Sequence, residues 1–191
     1  MKVGLFGGTF DPPHLGHLIV AQEVHFRLGL DRVLWVPAAI PPHKRGRSIT
    51  AATIRLEMVR AAIADDSRFS VSDLEVRRSG PSYTADTLRQ LREQRPADEL
   101  FLIVGADQLR ELHTWREPDM ISRLATVVGF SRAGEEAPAV EGVVVVEVPR
   151  IDVSSTEVRR RVAAGEPVSY MIPAAVEGVV RGRELYRAIR P

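Results

Sequence analysis

Short apolar runs alternate with amphipathic stretches along this chain. Residues 3–6, 32–36, 99–105, 126–130 and 143–148 are rich in branched or large apolar side chains. They end at glycine, proline or polar residues and read as buried strands. Residues 69–74, where Phe69 and Val71 alternate before Asp73, form a weaker strand pattern. Between them lie helical periods. Leu15, Leu18, Ile19 and Phe26 mark one face of a first helix, with Gln22 as its polar interruption. In residues 53–64, Ile54, Met58 and Ala62 recur every fourth position with Val59 and Ile63 alongside. Residues 84–94 place Leu88 beside Leu91, and residues 154–164 pair Val158 with Val162 before Gly165, a suitable C-terminal cap. Strands alternating with helices predict an α/β fold: a Rossmann-like, doubly wound, mostly parallel sheet with helices on both faces. No repeat or low-complexity tract interrupts it, and residues 133–142 read as a surface loop.

Length and composition narrow the classes. A chain of 191 residues is expected to form one domain, 1–191, and to bury about 70% of its unfolded surface. Zero cysteines exclude disulfides, thiolate catalysis and cysteine-ligated metal centres. They also permit a reducing cytoplasm. The first residues meet glycines and an aspartate before any apolar run reaches signal-peptide length, and no stretch approaches the ~18 apolar residues of a span. A cytoplasmic protein with no membrane partner is expected. The net charge of +1 argues against a general nucleic-acid binder. That charge is uneven: residues 1–49 carry +3, residues 50–149 carry −5 and residues 150–191 carry +3. If the two basic ends meet in space, they form a local anion site.

The candidate chemistry begins after the first strand, in Gly7-Gly8-Thr9-Phe10-Asp11-Pro12-Pro13-His14-Leu15-Gly16-His17. Ligands of open parallel sheets bind beyond the carboxyl ends of strands, where this loop lies. Glycines permit close approach to a phosphate, and the helix start offers N–H groups and a positive dipole end. His14 and His17, three apart, share a face and can donate hydrogen bonds to phosphate oxygens, with Gly16 leaving room between them. The spacing fits neither G-x-G-x-x-G nor G-x-x-x-x-G-K-[ST]. Two histidines without an obvious third ligand make a poor metal site, so no protein-held metal is expected.

The segment GGTFDPPHLGHL resembles the N-terminal signature of the nucleotidylyltransferase superfamily, whose H-x-G-H motif binds the phosphates of ATP. The resemblance implies that role for His14 and His17, with Gly7, Gly8, Thr9 and Phe10 as further ATP contacts. Four later motifs follow in order: Pro41-Pro42-His43-Lys44; Ser82-Tyr83-Thr84-Ala85-Asp86-Thr87-Leu88; Gly105-Ala106-Asp107 followed by Trp115; and Ile151-Asp152-Val153-Ser154-Ser155-Thr156-Glu157-Val158-Arg159. The set covers nearly the whole chain and is similar to the nicotinate-nucleotide adenylyltransferase family.

Each motif also has a bland reading. Lys44 sits in a basic loop, where Arg45 and Arg47 read as solvated charge; the PPHK resemblance gives Lys44 a phosphate contact. Thr84 could cap a helix, and the resemblance adds recognition of the nicotinate nucleotide by Tyr83 and Thr84. Trp115 is either a core residue or the aromatic face for a pyridine ring. Asp107, with Gly105, could contact the ribose of ATP or cap the next helix. Ser154 and Glu157 have capping-box spacing, which leaves Ser155, Thr156 and Arg159 for the ATP phosphates. Arg132 belongs to a motif that usually reads Ser-Arg-Pro-Gly; here Ala133 replaces the proline, and a nicotinate-nucleotide contact is its implied role. Valine stands where a tyrosine is common in the tail, before the matching Leu185-Tyr186.

The implied reaction joins ATP to nicotinate mononucleotide, giving nicotinate adenine dinucleotide and pyrophosphate. The attacking phosphate is already ionised, so alignment and charge stabilisation suffice. His14, His17, Lys44 and Arg159 are the implied catalytic residues, with Mg²⁺ carried on the ATP phosphates. A nicotinamide-mononucleotide adenylyltransferase is the nearest alternative; a phosphopantetheine enzyme fits the motifs less well. A silent nucleotide-binding regulator is the alternative of another class, and a homo-oligomer stays open.

Overall fold

The computed structural model describes residues 1–41, 48–134 and 140–187. In it the apolar runs lie side by side. Strands β1 (Lys2–Gly8), β2 (Arg32–Pro37), β3 (Phe69–Val71), β4 (Glu99–Gly105), β5 (Thr126–Arg132) and β6 (Val144–Val148) form a sheet of order β3-β2-β1-β4-β5-β6. Every neighbouring pair is parallel. Strand β1 buries Val3 to Phe6 in succession and β4 buries Leu100 to Val104. Continuous rather than alternating burial is what a strand covered on both faces requires. The expected doubly wound sheet is therefore present.

The helices are α1 (Leu15–Leu28), α2 (Ala52–Ile63), α3 (Leu74–Arg77), α4 (Thr84–Gln94), α5 (Ala106–Arg110), α6 (Pro118–Leu124), α7 (Ser155–Ala164) and α8 (Ala174–Gly182). Leu88 and Leu91 of α4 and Ile121 of α6 pack with Val3, Leu5, Leu100 and Leu102 in one core layer. Val20, Ala21 and Val24 of α1 and Val59 and Ile63 of α2 pack with Phe6, Trp35 and Ile103 in the other. A third cluster joins Met58 of α2 to Val158 of α7 and Val176 and Val180 of α8. It fixes the carboxyl-terminal helices beside the first half of the chain.

Two sequence expectations change. Phe26 is 80% exposed, and α1 buries Val20, Ala21 and Val24 instead of a Leu15–Phe26 stripe. These smaller side chains sit against the sheet, while the first turn of the helix is given to the histidines. The third strand ends at Val71, because Leu74 opens α3. Short helices α5 and α6 and the terminal α8 carried no expectation.

Strand order reverses between β1 and β4: the chain runs outward through β2 to β3, then returns to the other side of β1. This is the switch point where open α/β sheets bind ligands beyond the carboxyl ends of the strands.

Candidate active site

At the end of β1 the last glycine has no room for a side chain. A Cβ on Gly8 would lie 2.7 Å from the Phe10 ring, whereas Gly7 has nothing within 4 Å of that position. Phe10 itself adopts a left-handed φ of 50°, which costs a non-glycine residue about 1 kcal/mol. Its ring is held by Phe6, Trp35 and His17, with centroids 5.6, 5.1 and 5.1 Å away. At 2% exposure, the Phe10 side chain is packed into the core beneath the loop.

His14 precedes α1, with extended φ and ψ. Its N–H donates to His17 Nδ1 at 3.1 Å, and its carbonyl accepts the His17 N–H at 2.9 Å. The two rings lie 3.7 Å apart. An acceptor at Nδ1 places the ring proton of neutral His17 on Nε2, so His17 offers an N–H donor at its far edge. Gly16 has the role expected for it: a Cβ there would come within 3.1 Å of the His14 ring.

The two basic ends of the chain do meet at this loop. Arg159 Nη1 donates to the Asp11 carbonyl at 2.7 Å, and Ser155 Oγ donates to the Pro12 carbonyl at 2.8 Å. Tyr186 Oη donates to Asp11 Oδ1 at 2.7 Å, and the Thr50 N–H donates to Asp11 Oδ2 at 3.2 Å. Burial and the Asp11 bond push the Tyr186 phenol well above its ordinary range. Thr9, Asp11, Ser48, Ile49, Ser155, Thr156 and Arg159 line a polar cavity of about 270 Å³. Ser154 caps α7, accepting from the Glu157 N–H at 3.1 Å. The reciprocal half of a capping box is not seen, as the Glu157 carboxylate instead holds Arg160 and Arg161.

Arg55 on α2 organises this region and carried no expectation from sequence. It is 1% exposed. Its guanidinium donates to the carbonyls of Thr9 at 2.7 Å, Thr50 at 2.8 Å and Ala39 at 3.0 Å. Burial lowers its pKa, and nearby Asp11 partly offsets the effect. A buried arginine on an amphipathic helix reads in sequence like any solvated one.

A second cavity, about 320 Å³, opens at the switch point. Its floor is Leu5, Leu102 and Val104, and Gly7, Gly8 and Thr9 form one rim. Tyr83, Thr84, Trp115 and Arg116 form the other, with the Arg116 guanidinium 4.8 Å from the Tyr83 ring centroid. Trp115 packs on the core, as its structural reading expects, and also lines the cavity. Tyr83, not Thr84, occupies the N-cap of α4, and no side chain among the described residues caps that helix. The capping role expected as an option for Thr84 is therefore not used.

Glu75, also outside the sequence expectations, is buried in the wall of this cavity. Thr87 Oγ1 donates to its carboxylate at 2.6 Å. Desolvation raises its pKa, opposed by the hydroxyls of Thr87 and Ser82 and by the charges of Arg78 and Arg55.

Gly105 and Asp107 stand apart from both cavities. The Asp107 side chain is 97% exposed and pairs with Arg110 at 2.7 Å, and Gly105 is the N-cap of α5. Lys44 lies outside the described residues, as does the side chain of Arg132 at the end of β5. Among the described residues, no group of three or more His, Cys, Asp or Glu side chains could hold a metal ion, and no helix is long and apolar enough to cross a membrane.

A doubly wound sheet with paired imidazoles at its switch point defines a nucleotide-handling α/β protein. The cytidylyltransferase-like family model matches residues 5–161. A Thermus thermophilus protein named "Probable nicotinate-nucleotide adenylyltransferase" is 50% identical over 98% of this chain and 100% of its own. A Shouchella clausii protein of the same name is 43% identical over 97% of this chain and 96% of its own. The Plasmodium falciparum nicotinic acid mononucleotide adenylyltransferase, solved in complex with NaAD, superposes with a TM-score of 0.80. That likeness covers 97% of both chains at 18% identity and concerns the fold. The chain belongs to the cytidylyltransferase-like family and, within it, to the nicotinate-nucleotide adenylyltransferases.

Proposed function

We propose that this chain transfers the adenylyl group of ATP to nicotinate mononucleotide, forming nicotinate adenine dinucleotide and pyrophosphate, a step of NAD biosynthesis. The observation that carries the reading is that Thr9 lines both cavities. One cavity is apolar and aromatic and suits a pyridine ring; the other is polar and carries Arg159 and suits phosphates. Two substrates seated in them meet at the loop headed by His14 and His17.

The acceptor phosphate attacks the α-phosphorus of ATP while the bond to pyrophosphate breaks. No side chain need act as nucleophile, so the protein's task is alignment and charge stabilisation. His17 donates from Nε2 to a phosphate oxygen, and His14 sets its tautomer through the backbone bond at Nδ1. Arg159, held by Asp11 and by Thr156 Oγ1 at 3.3 Å, presents its remaining N–H groups to the leaving phosphates. Ser155 and Thr156 at the start of α7 add donors there. Lys44 supplies positive charge, and Arg132 a nicotinate-nucleotide contact, by resemblance to the family. Asp107 would take a ribose hydroxyl from its exposed position beyond β4.

Magnesium fits as a companion of the nucleotide: both oxygens of Asp11 are engaged by Tyr186 and Thr50. It would ride on the ATP phosphates and neutralise charge between them. Absence of cysteine suits a cytoplasmic setting.

Pyrophosphate release by the pure protein with ATP, Mg²⁺ and each acceptor in turn tests the reading. Nicotinate mononucleotide is expected to be the preferred acceptor. Preference for nicotinamide mononucleotide overturns the substrate assignment, and turnover of no acceptor overturns the enzyme.

A further inference from the structure

Glu75 has no evident part in adenylyl transfer, yet it occupies a costly position. It is 8% exposed, in the wall of the aromatic cavity, beside Leu5, Val36, Leu102 and Val104. A carboxylate taken from water into such a wall is unfavourable unless hydrogen bonds or a cation compensate. Thr87 and Ser82 provide two hydroxyl donors, while a carboxylate has about four acceptor sites. The Arg78 and Arg55 guanidiniums add positive charge nearby. Arg78 Nη2, however, donates to Thr87 Oγ1 at 3.0 Å and to the Tyr83 carbonyl at 3.5 Å rather than to the carboxylate. Its Nη1 is buried with no hydrogen-bond partner among the described residues. Among the described residues no ion pair within 4.0 Å reaches Glu75. A buried carboxylate with acceptor capacity left, facing a cavity, is a site for a positive charge.

The same cavity contains the indole of Trp115, whose π face also attracts cations. At its rim stand Arg116 and the uncapped start of α4, both suited to an anion. Cation-favouring and anion-favouring groups thus share one pocket. They match a ring that carries a quaternary nitrogen and a carboxylate together.

We propose that Glu75 is the counter-charge for the quaternary nitrogen of a pyridinium ring, so that the cavity selects acceptors by ring charge as well as by shape. This rests on the function proposed above and names the determinant of acceptor choice. A neutral ring of equal size leaves Glu75 with only the Thr87 and Ser82 hydroxyls and the Arg78 and Arg55 charges to offset its desolvation, and so binds more weakly. The alternative role, a tie between Ser82 and Thr87 alone, predicts indifference to ring charge.

The test compares nicotinate mononucleotide with its benzoate ribotide, in which carbon replaces the ring nitrogen and the carboxylate and phosphate are kept. Titration calorimetry on the full-length wild-type protein is expected to show about tenfold tighter binding of the charged ring, the scale of a single charge contact in a partly dry cavity. Glu75→Gln, nearly isosteric and still able to accept from Thr87, is expected to reduce that preference to about twofold, while the KM for ATP stays within about twofold. Equal wild-type affinity for the two rings overturns the proposal. So does a Glu75→Gln variant that weakens both rings alike. If Glu75→Gln does not fold, Glu75→Asp decides: keeping the charge, it should keep the preference, and losing it overturns the proposal. Dinucleotide formation is scored with the same wild-type protein. No product from ATP and nicotinate mononucleotide defeats the proposed function, whereas product formation without ring-charge preference defeats the Glu75 inference alone.

Discussion

Replacing Arg55 by methionine removes a buried cation while leaving a long side chain on α2. The guanidinium serves three carbonyls, those of Thr9, Thr50 and Ala39, at 2.7 to 3.0 Å. A carbonyl left without a donor in a part-buried setting costs about 1 kcal/mol, so the three together cost about 3 kcal/mol. Two further effects oppose each other. Asp11 loses a neighbouring positive charge, and the desolvation that lowers the Arg55 pKa is relieved. The net loss of about 3 kcal/mol is a large share of a typical domain stability of about 5–15 kcal/mol. In a chain of this size it corresponds to a melting point lower by roughly 10 °C. Urea denaturation followed by circular dichroism at 25 °C measures the loss. The same clamp holds Thr9, shared by both cavities, and the two segments that bracket Lys44. kcat/KM of the folded variant should therefore fall by about tenfold, as small misplacements do. Arg55→Lys, a point charge that cannot reach three carbonyls at once, should fall between wild type and Arg55→Met. A midpoint in urea unchanged by Arg55→Met, with activity intact, would refute the clamp.

Three further predictions concern the loop itself. His17→Ala should lower kcat by about 10²-fold or more, the scale of one lost transition-state donor, while removing the Nδ1 acceptor costs only about 1 kcal/mol of stability; unchanged turnover in a folded variant would remove His17 from the chemistry. Gly8→Ala places a Cβ 2.7 Å from the Phe10 ring and should destabilise by about 1–3 kcal/mol, with loss of activity because Phe10 braces His17; an alanine variant as stable and active as wild type would show that the ring has room to move. Tyr186 adds a dependence on pH. Its folded pKa is raised, by burial first and then by the Asp11 bond, so the unfolded chain ionises first, above pH of about 10. Its stabilisation is complete below that value and is lost as pH rises further. Urea unfolding between pH 8 and 11 should show the advantage of wild type over Tyr186→Phe narrowing with a slope of about one proton; parallel curves would contradict the burial of the phenol.

Whether a residue's role could be read from sequence depended on whether that role was local. Strands such as β1 and β4 were legible because burial on both faces demands unbroken apolar runs. The helix stop at Gly165 was legible because only its left-handed φ of 72° needed explaining. His14, His17, Ser155 and Arg159 carry their spacing in the chain, and the structure adds that the two segments touch through Asp11 and Pro12. The roles of Arg55, Glu75 and Tyr186 were invisible for the opposite reason, although the Leu185-Tyr186 pair matches the family's tail. Each looks like a solvated surface residue until the fold supplies partners: Thr9 for Arg55, Thr87 for Glu75, and Asp11, 175 positions away, for Tyr186. Periodicity reports which face of a helix is apolar, and it treats a polar residue on the buried face as an interruption. Phe26 shows the converse: it fits the apolar period of α1 and is exposed, because the sheet needed the smaller Val20, Ala21 and Val24. The chemistry-bearing residues were thus partly legible from short motifs, whereas the residues that hold them in place came from long-range pairing. Arg55 and Tyr186 both act on the loop carrying His14 and His17, and they do so from opposite ends of the chain. Joining their perturbations is therefore a test of that dependence: Arg55→Met and Tyr186→Phe share Asp11, so their stability losses should fail to add by about 0.5 kcal/mol or more in a double-mutant cycle. Strict additivity would mean that the two anchors hold the loop independently, and that Asp11 does not connect them.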